Sequence, residues 1–265
     1  MTAADNMKPE EPRDAHKELD LAEIEHSSTS TLQKDRAYWQ ERTGRYGAAS
    51  AGYGCDDRLI RWDNALRAWA LSRLVRITPG MRVLDVGTGA GYWAIRYARL
   101  GAAVTGLDFC EDLLRVAEAR ARSAGVEITW LFTPLEKAAL PPDTFDLVTS
   151  ITCLQHITDE ARQRKAIQRI LRSLKPHGIF LLVEDTIVGQ PREAGHMRTY
   201  SQQGWIELLR SQGAEIVGYV GISFLRFRFI RVLAPLCVVL DFILGKVRWF
   251  ASKATVTAFA FRRSV

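Results

Sequence analysis

The chain reads as an α/β protein, a seven-stranded, mostly parallel sheet with helices on both faces. Three observations predict this. Between Met81 and Asp185, five short runs rich in apolar and β-branched residues alternate with segments of helical period, the pattern of parallel strands joined by crossover helices. The breaks between them fall at Gly101, Gly125, Pro141-Pro142 and Pro176-His177-Gly178, residues that end helices or open turns. The composition, 47% apolar and 25% charged over 265 residues, suits one domain with a core large enough to fold without disulfide or metal.

Residues 1–32 are acidic and polar, contain the run HSSTST, and predict a disordered tail. One domain is expected over 33–265, with a helical lid at 33–70, the core at 71–223, an apolar insertion at 224–251 and a last strand at 252–265. Helices are predicted at 33–46 and about 57–77, separated by the small, glycine-rich loop GAASAGYG (47–54). The strands of the core are MRVLDVG, AAVTGLDF, VEITWLF, FDLVTSITC and IFLLVED. After an irregular stretch, TIVGQPREAGHMRTY, come the helix SQQGWIELLRSQGA and a sixth strand, EIVGYVGIS. ATVTAFAFRR supplies the seventh.

The insertion FLRFRFIRVLAPLCVVLDFILGKVRWF (224–250) is strongly apolar with basic residues toward both ends. Its longest uncharged run, Val232 to Leu240, is far short of the ~20 residues that span a bilayer. A packed helical insertion, a helix lying on a membrane surface and a dimer interface all remain open.

Cys55, Cys110, Cys153 and Cys237 are too far apart for a C-x-x-C clamp or a zinc motif, and no H-E-x-x-H is present. No metal is expected. Scattered cysteines and an N-terminus without an apolar signal core point to a cytoplasmic setting, with peripheral membrane contact through 224–250 open. Residues 1–32 hold eight acidic and three basic side chains, so the remaining 233 carry a net +11 against +6 for the whole chain. That balance suits an anionic substrate, a nucleic acid or an anionic membrane, or is a solvated surface.

Residues 83–93 read VLDVGTGAGYW. A dinucleotide fingerprint, G-x-G-x-x-G, needs its third glycine at position 92, which is Tyr92. Asp85 precedes the first glycine by two residues. A carboxylate there repels a pyrophosphate and suits a ligand with a positive centre.

Four ordered segments then carry a resemblance. VLDVGTGAG (83–91), VTGLDFCEDLL (104–114), LPPDTFDLVTSITCLQHITD (140–159) and LRSLKPHGIFLLVED (171–185) resemble the motifs of the class I S-adenosylmethionine-dependent methyltransferases, in that family's order. The likeness covers about 70–223. It is nearest in flavour to the group that holds quinone-biosynthesis, sugar and natural-product enzymes. The resemblance implies a Rossmann-like sheet and S-adenosyl-L-methionine as cofactor. It places Gly87, Thr88 and Gly89 against the methionine part, with Asp85 organising that loop and facing the ammonium. Asp108 would hold the ribose hydroxyls, Phe109 would pack on the adenine, and Leu135 and Glu136 would lie at the adenine edge.

Acceptors of an open α/β sheet bind beyond the carboxyl ends of its strands. His156, after strand four, is either a general base or a loop-ordering residue. Asp185, His196 and Arg198, after strand five, are candidates to orient an acceptor. Tyr38 and Tyr53, in the lid region, are candidates to touch it, with helix packing the alternative for Tyr38. The expected function is methyl transfer to a hydroxyl, nitrogen or activated carbon of a small or lipid-linked acceptor. The alternatives are a non-catalytic S-adenosylmethionine-binding partner protein and a NAD-dependent oxidoreductase. A nucleic-acid substrate is disfavoured, because neither an appended recognition domain nor an N/D-P-P-Y/F motif is found.

Overall fold

A computed structural model describes residues 15–49, 57–187, 191–223, 239–240, 243 and 253–264. The strands are β1 (Arg82–Val86), β2 (Ala103–Asp108), β3 (Thr129–Phe132), β4 (Phe145–Ile151), β5 (Leu174–Asp185), β6 (Arg192–Ala194), β7 (Met197–Thr199), β8 (Ala214–Ser223) and β9 (Val256–Arg263). The helices are α1 (Ala15–Tyr46), α2 (Asp57–Leu74), α3 (Tyr92–Arg99), α4 (Glu111–Ser123), α5 (Glu160–Ser173) and α6 (Gln202–Ser211). Seven strands form one sheet in the order β3-β2-β1-β4-β5-β9-β8. Neighbours from β3 to β5 run parallel, and β9 is antiparallel to both β5 and β8. The chain winds outward from β1 to β3, then returns to place β4 on the other side of β1. The carboxyl ends of β1 and β4 therefore flank the point where strand order reverses, which is where such sheets bind ligands.

Alternation along each strand builds a core on each face of the sheet. Leu84, Val148, Phe180, Leu182, Phe259 and Phe261 meet Ile167, Ile170 and Leu171 of α5 and Trp205 and Leu209 of α6. On the other face Val83, Val104, Leu147, Leu181 and Val183 meet Leu66, Ala70 and Leu71 of α2 and Trp93 and Tyr97 of α3. β9 shows the logic in four residues. Phe259 and Phe261 fill the α5–α6 side, while Ala258 and Ala260 face the α2–α3 side. Helix ends follow local chemistry as well. Asp159 accepts the Arg162 N–H at 2.8 Å to start α5, and Ser201 accepts that of Gly204 at 3.0 Å to start α6.

Several expectations change. α1 begins at Ala15, so the segment expected to be disordered through residue 32 is helical from Ala15 onward. Its Ala, Leu, Glu and Lys residues favour helix, and the absence of apolar periodicity does not forbid one. The stretch after β5 is not wholly irregular, because β6 and β7 pair across a tight turn. β5 starts at Leu174, earlier than expected, with a register irregularity opposite β4. The apolar insertion lies outside the described residues except for Val239, Leu240 and Ile243, which are helical and exposed. No helix among the described residues is long and apolar enough to cross a membrane.

Candidate functional site

A cleft opens at the reversal point, enclosing a cavity of about 100 Å³. Val86 at the end of β1 and Gly87 and Gly89 after it form its floor. Leu107, Asp108 and Phe109 from the end of β2, and Thr133 to Glu136 after β3, form one wall. Thr152, Cys153, His156 and Ile157 after β4 form another, and Leu32, Asp35 and Trp39 of α1 cover it.

The loop after β1 takes its shape from glycine. Gly87, Gly89 and Gly91 have φ of 64°, 52° and 77°, backbone that side chains rarely adopt. A Cβ on Gly87 would run into Cys153 Sγ, and one on Gly91 would lie 2.9 Å from Ala117 Cβ. The first glycine lets β1 and the β4 turn close together, and the third lets α3 start against α4.

Asp85 sits beneath this loop rather than on the cleft wall. It is buried and accepts hydrogen bonds from Thr88 Oγ1 and Thr149 Oγ1, both at 2.7 Å, and from the Ala94 N–H in the first turn of α3. Burial pushes its carboxyl up to about 6, against the pull of these hydrogen bonds. The position that would receive a pyrophosphate at a helix N-terminus is thus capped from below by an acid. Thr88 is buried with it and also lies off the cleft wall.

Asp108 is on the wall. Its Oδ2 accepts from the Gly89 N–H at 2.8 Å and its Oδ1 from the Cys110 N–H at 2.9 Å. These bonds fix the carboxylate and leave it acceptor capacity for a ligand. Burial raises its pKa, and the backbone N–H groups of Cys110, Gly89 and Phe109 oppose that. Phe109 and Leu135 supply apolar surface beside it.

Glu136 lines the cleft but is held by Arg162, whose Nε donates to it at 2.6 Å; Arg162 also donates to Asp35 of α1 at 3.2 Å. All three side chains are largely buried. This triad ties α1 to α5 and to the turn after β3. Neither Arg162 nor Asp35 stands out in the sequence, because 127 residues separate them.

The turn after β4 is strained and pinned. Thr152 has φ of 52°, uncommon for a β-branched residue. Glu184, fully buried at the end of β5, accepts from the N–H groups of Cys153 and Leu154 at 3.2 and 2.8 Å. The Asp185 N–H donates to Gln155 Oε1 at 3.0 Å. These bonds hold the short turn Leu154–His156, and Asp185 itself lies off the cleft wall.

His156 Nδ1 lies 3.2 Å from the His196 carbonyl oxygen. A carbonyl accepts, so Nδ1 carries the proton and Nε2 keeps its lone pair. The His196 ring stacks parallel to that of His156 at 5.1 Å, Tyr38 stacks on His196 at 4.0 Å, and Trp39 meets His156 edge-on at 5.1 Å. Burial lowers His156 to about 4, with the charge of Arg42 adding to this. Tyr38 and His196 therefore stand behind His156 rather than on the wall. Arg198 pairs with Glu160 at 2.6 Å and donates to the Thr158 carbonyl at 3.2 Å, so its charge is already matched. Tyr53 lies outside the described residues.

The chemistry of the walls tests the cofactor. Among the described residues the walls hold Asp35, Asp108 and Glu136 against one arginine, Arg162, which two of those acids already bind. Such a cleft is unfavourable for a pyrophosphate and favourable for a sulfonium and an ammonium. Among the described residues no three metal-ligating side chains converge.

Residues 83–178 match a family model described as a methyltransferase domain. The chain is similar to the ubiquinone biosynthesis O-methyltransferase of Aeromonas salmonicida, 39% identical over 94 residues, which are 35% of this chain and 40% of that protein. For the enzyme of the same name from Vibrio cholerae the identity is 40% over 100 residues, 37% of this chain and 40% of that one. The chain thus matches about 40% of the length of these relatives. Among solved structures, it resembles the Burkholderia thailandensis 1,6-didemethyltoxoflavin-N1-methyltransferase, which holds 1,6-didemethyltoxoflavin and S-adenosylhomocysteine. The TM-score is 0.62 at 18% identity, over 91% of this chain and 90% of that one. The [4+2]-cyclase SpnF superposes with a TM-score of 0.58 at 23% identity, over 77% and 81%. At such identities these structures support the fold alone.

Proposed function

We infer that the chain, whose residues 83–178 match the model of a methyltransferase domain, is an S-adenosylmethionine-dependent enzyme that methylates a hydroxyl on a small, largely apolar acceptor. The observation that carries this is the acid-lined, phosphate-averse cleft with Asp108 fixed on its wall. Bound there, S-adenosylmethionine supplies an activated methyl group on a sulfonium centre.

Each side chain then has a task. The remaining acceptor capacity of Asp108 takes the ribose hydroxyls. Phe109 and Leu135 cover the adenine. The bare backbone at Gly87 and Gly89 admits the methionine half, and Asp85 keeps that loop in shape from beneath. Glu136 serves through Arg162, holding the wall and the lid together, rather than as a free adenine ligand.

The acceptor lies toward Trp39, Ile157 and His156, where the walls are apolar and aromatic. His156 takes the acceptor's proton at Nε2. A group with a pKa of about 4 stays neutral at physiological pH, so its lone pair is available. It is a weak base, yet the hydroxyl proton becomes strongly acidic as the oxygen–carbon bond forms, so the transfer runs downhill late in the step. The aromatic lid excludes water. A hydroxyl acceptor is favoured over nitrogen or carbon by this single neutral base and by the likeness to O-methyltransferases. A lipid-linked acceptor fits the same apolar mouth.

The test is transfer of a labelled methyl group from S-adenosylmethionine to metabolite extracts, with mass spectrometry of the product. The expected product is an O-methyl compound, and His156→Ala lowers kcat while leaving S-adenosylhomocysteine affinity within about twofold. Tight cofactor binding with no product in any extract removes the enzymatic reading, and an N- or C-methyl product removes the hydroxyl.

A further inference from the structure

The face formed by α2, α3 and α4 lies outside the cleft and carries two adjoining grooves. One runs between α3 and α4 and reaches Ala48 at the end of the lid; the other runs between α2 and α3. Arg96 and Leu100 line both and form the ridge between them. Two features set this face apart. Among the described residues neither groove has an acidic side chain on its walls, while Arg76, Arg96, Arg99 and Arg120 all contribute. The floors are apolar, with Ile95 and Val116 in one groove and Val75 and Ile77 in the other.

The arginines are not there for internal pairing. Arg76, Arg96 and Arg99 are exposed, and no carboxylate among the described residues pairs with them, whereas Arg115 and Arg122 nearby on α4 are paired with Glu111 and Glu118. Arg120 alone is anchored, donating to the Ala90 carbonyl at 2.5 Å from behind the glycine loop. Tyr92 and Leu100 stand 36% and 48% exposed on the same face, an aromatic and an aliphatic side chain among unpaired cations.

We propose that the α2–α3–α4 face docks on an anionic lipid bilayer, with Arg76, Arg96 and Arg99 against the headgroup phosphates and Leu100 and Tyr92 entering the interface. Charge complementarity selects an anionic partner. The apolar floors and the exposed Leu100 select lipid over nucleic acid, whose backbone offers nothing to bury there.

The experiment is sedimentation of the full chain with vesicles of phosphatidylcholine alone, or with roughly one-third phosphatidylglycerol, at several salt concentrations. Binding is expected only to the anionic vesicles, weakening as salt rises. Neutralising two arginines, Arg96→Gln with Arg99→Gln, is expected to lower the partition coefficient about thirtyfold, about 2 kcal/mol at about 1 kcal/mol per arginine. Because both side chains are exposed and unpaired, the variant should keep the parent's melting temperature and its affinity for S-adenosylhomocysteine. Equal binding to neutral vesicles overturns the proposal. So does undiminished binding of the double variant, which would assign any membrane contact to another part of the chain, such as 224–250. A duplex DNA arm that binds more tightly than the vesicles, and through the same two arginines, overturns it in favour of nucleic acid. None of these readouts depends on methyl transfer, so failure here leaves the enzymatic reading standing.

Discussion

At the scale of single residues, the proposed function assigns Asp108 to holding the cofactor and His156 to the proton transfer. Asp108→Asn preserves the size of the side chain but removes its charge and one acceptor. Hydrogen bonds to a charged group contribute about 1.5–3 kcal/mol, so S-adenosylhomocysteine affinity should fall about ten- to a hundredfold by calorimetry, with turnover falling alongside. Gly87→Ala acts on the backbone instead. Its φ of 64° and the approach of Cys153 leave no room for a methyl group, and the melting temperature should drop by an amount equivalent to about 1–3 kcal/mol. His156 gives a pH signature. Its folded pKa is about 4 against 6.5 for the free side chain. Between those values the unfolded chain binds a proton that the folded chain refuses, so His156 makes stability fall as pH drops from 6.5 toward 4. Asp85, raised from 3.8 to about 6, acts with the opposite sign over 3.8–6. His156→Gln should therefore lose less stability than the parent between pH 7 and pH 4.5, measured as the shift in urea midpoint. A variant that loses as much as the parent would remove the buried, neutral histidine.

At the scale of elements, the lid is the part that joins distant pieces of chain. Arg162 of α5 ties Asp35 of α1 to Glu136, and removing one partner of a buried ion pair leaves the others uncompensated. Arg162→Met should cost about 3–5 kcal/mol and speed proteolytic cleavage within α1 at temperatures below the global transition. Here the reach of the sequence becomes plain. The strands and most helices were legible because each is a local pattern, and Asp108 was legible because it ends a strand in a recognised motif. The triad was not, since its members lie in three elements with no shared period. The stacking of His196 on His156 was hidden for a related reason. It depends on the β6–β7 turn, in a stretch whose Gly, Pro and charged residues carry no clear strand alternation. The start of α1 is not legible because its first half lacks an apolar stripe. Helix propensity without amphipathicity is a weak signal in a single sequence.

At the scale of the molecule, topology converts these pieces into a site. The reversal of strand order at β1 and β4 opens a gap above their carboxyl ends, and the glycines keep that gap free of side chains. Asp35, Asp108 and Glu136 make it acidic, while α1 closes it with Trp39. The same sheet carries an arginine-rich face on its α2–α3–α4 side, so acidic cleft and basic surface occupy different parts of one domain. A dinucleotide enzyme with this topology would leave the N-terminus of α3 free for phosphate; in this chain Asp85 takes it. The most direct test of that claim is titration calorimetry of the full chain with S-adenosylhomocysteine and, separately, with NAD. The structure predicts one saturable site for S-adenosylhomocysteine, weakened by Asp108→Asn, and no heat of binding for NAD. Saturable NAD binding, or none by S-adenosylhomocysteine, would contradict it.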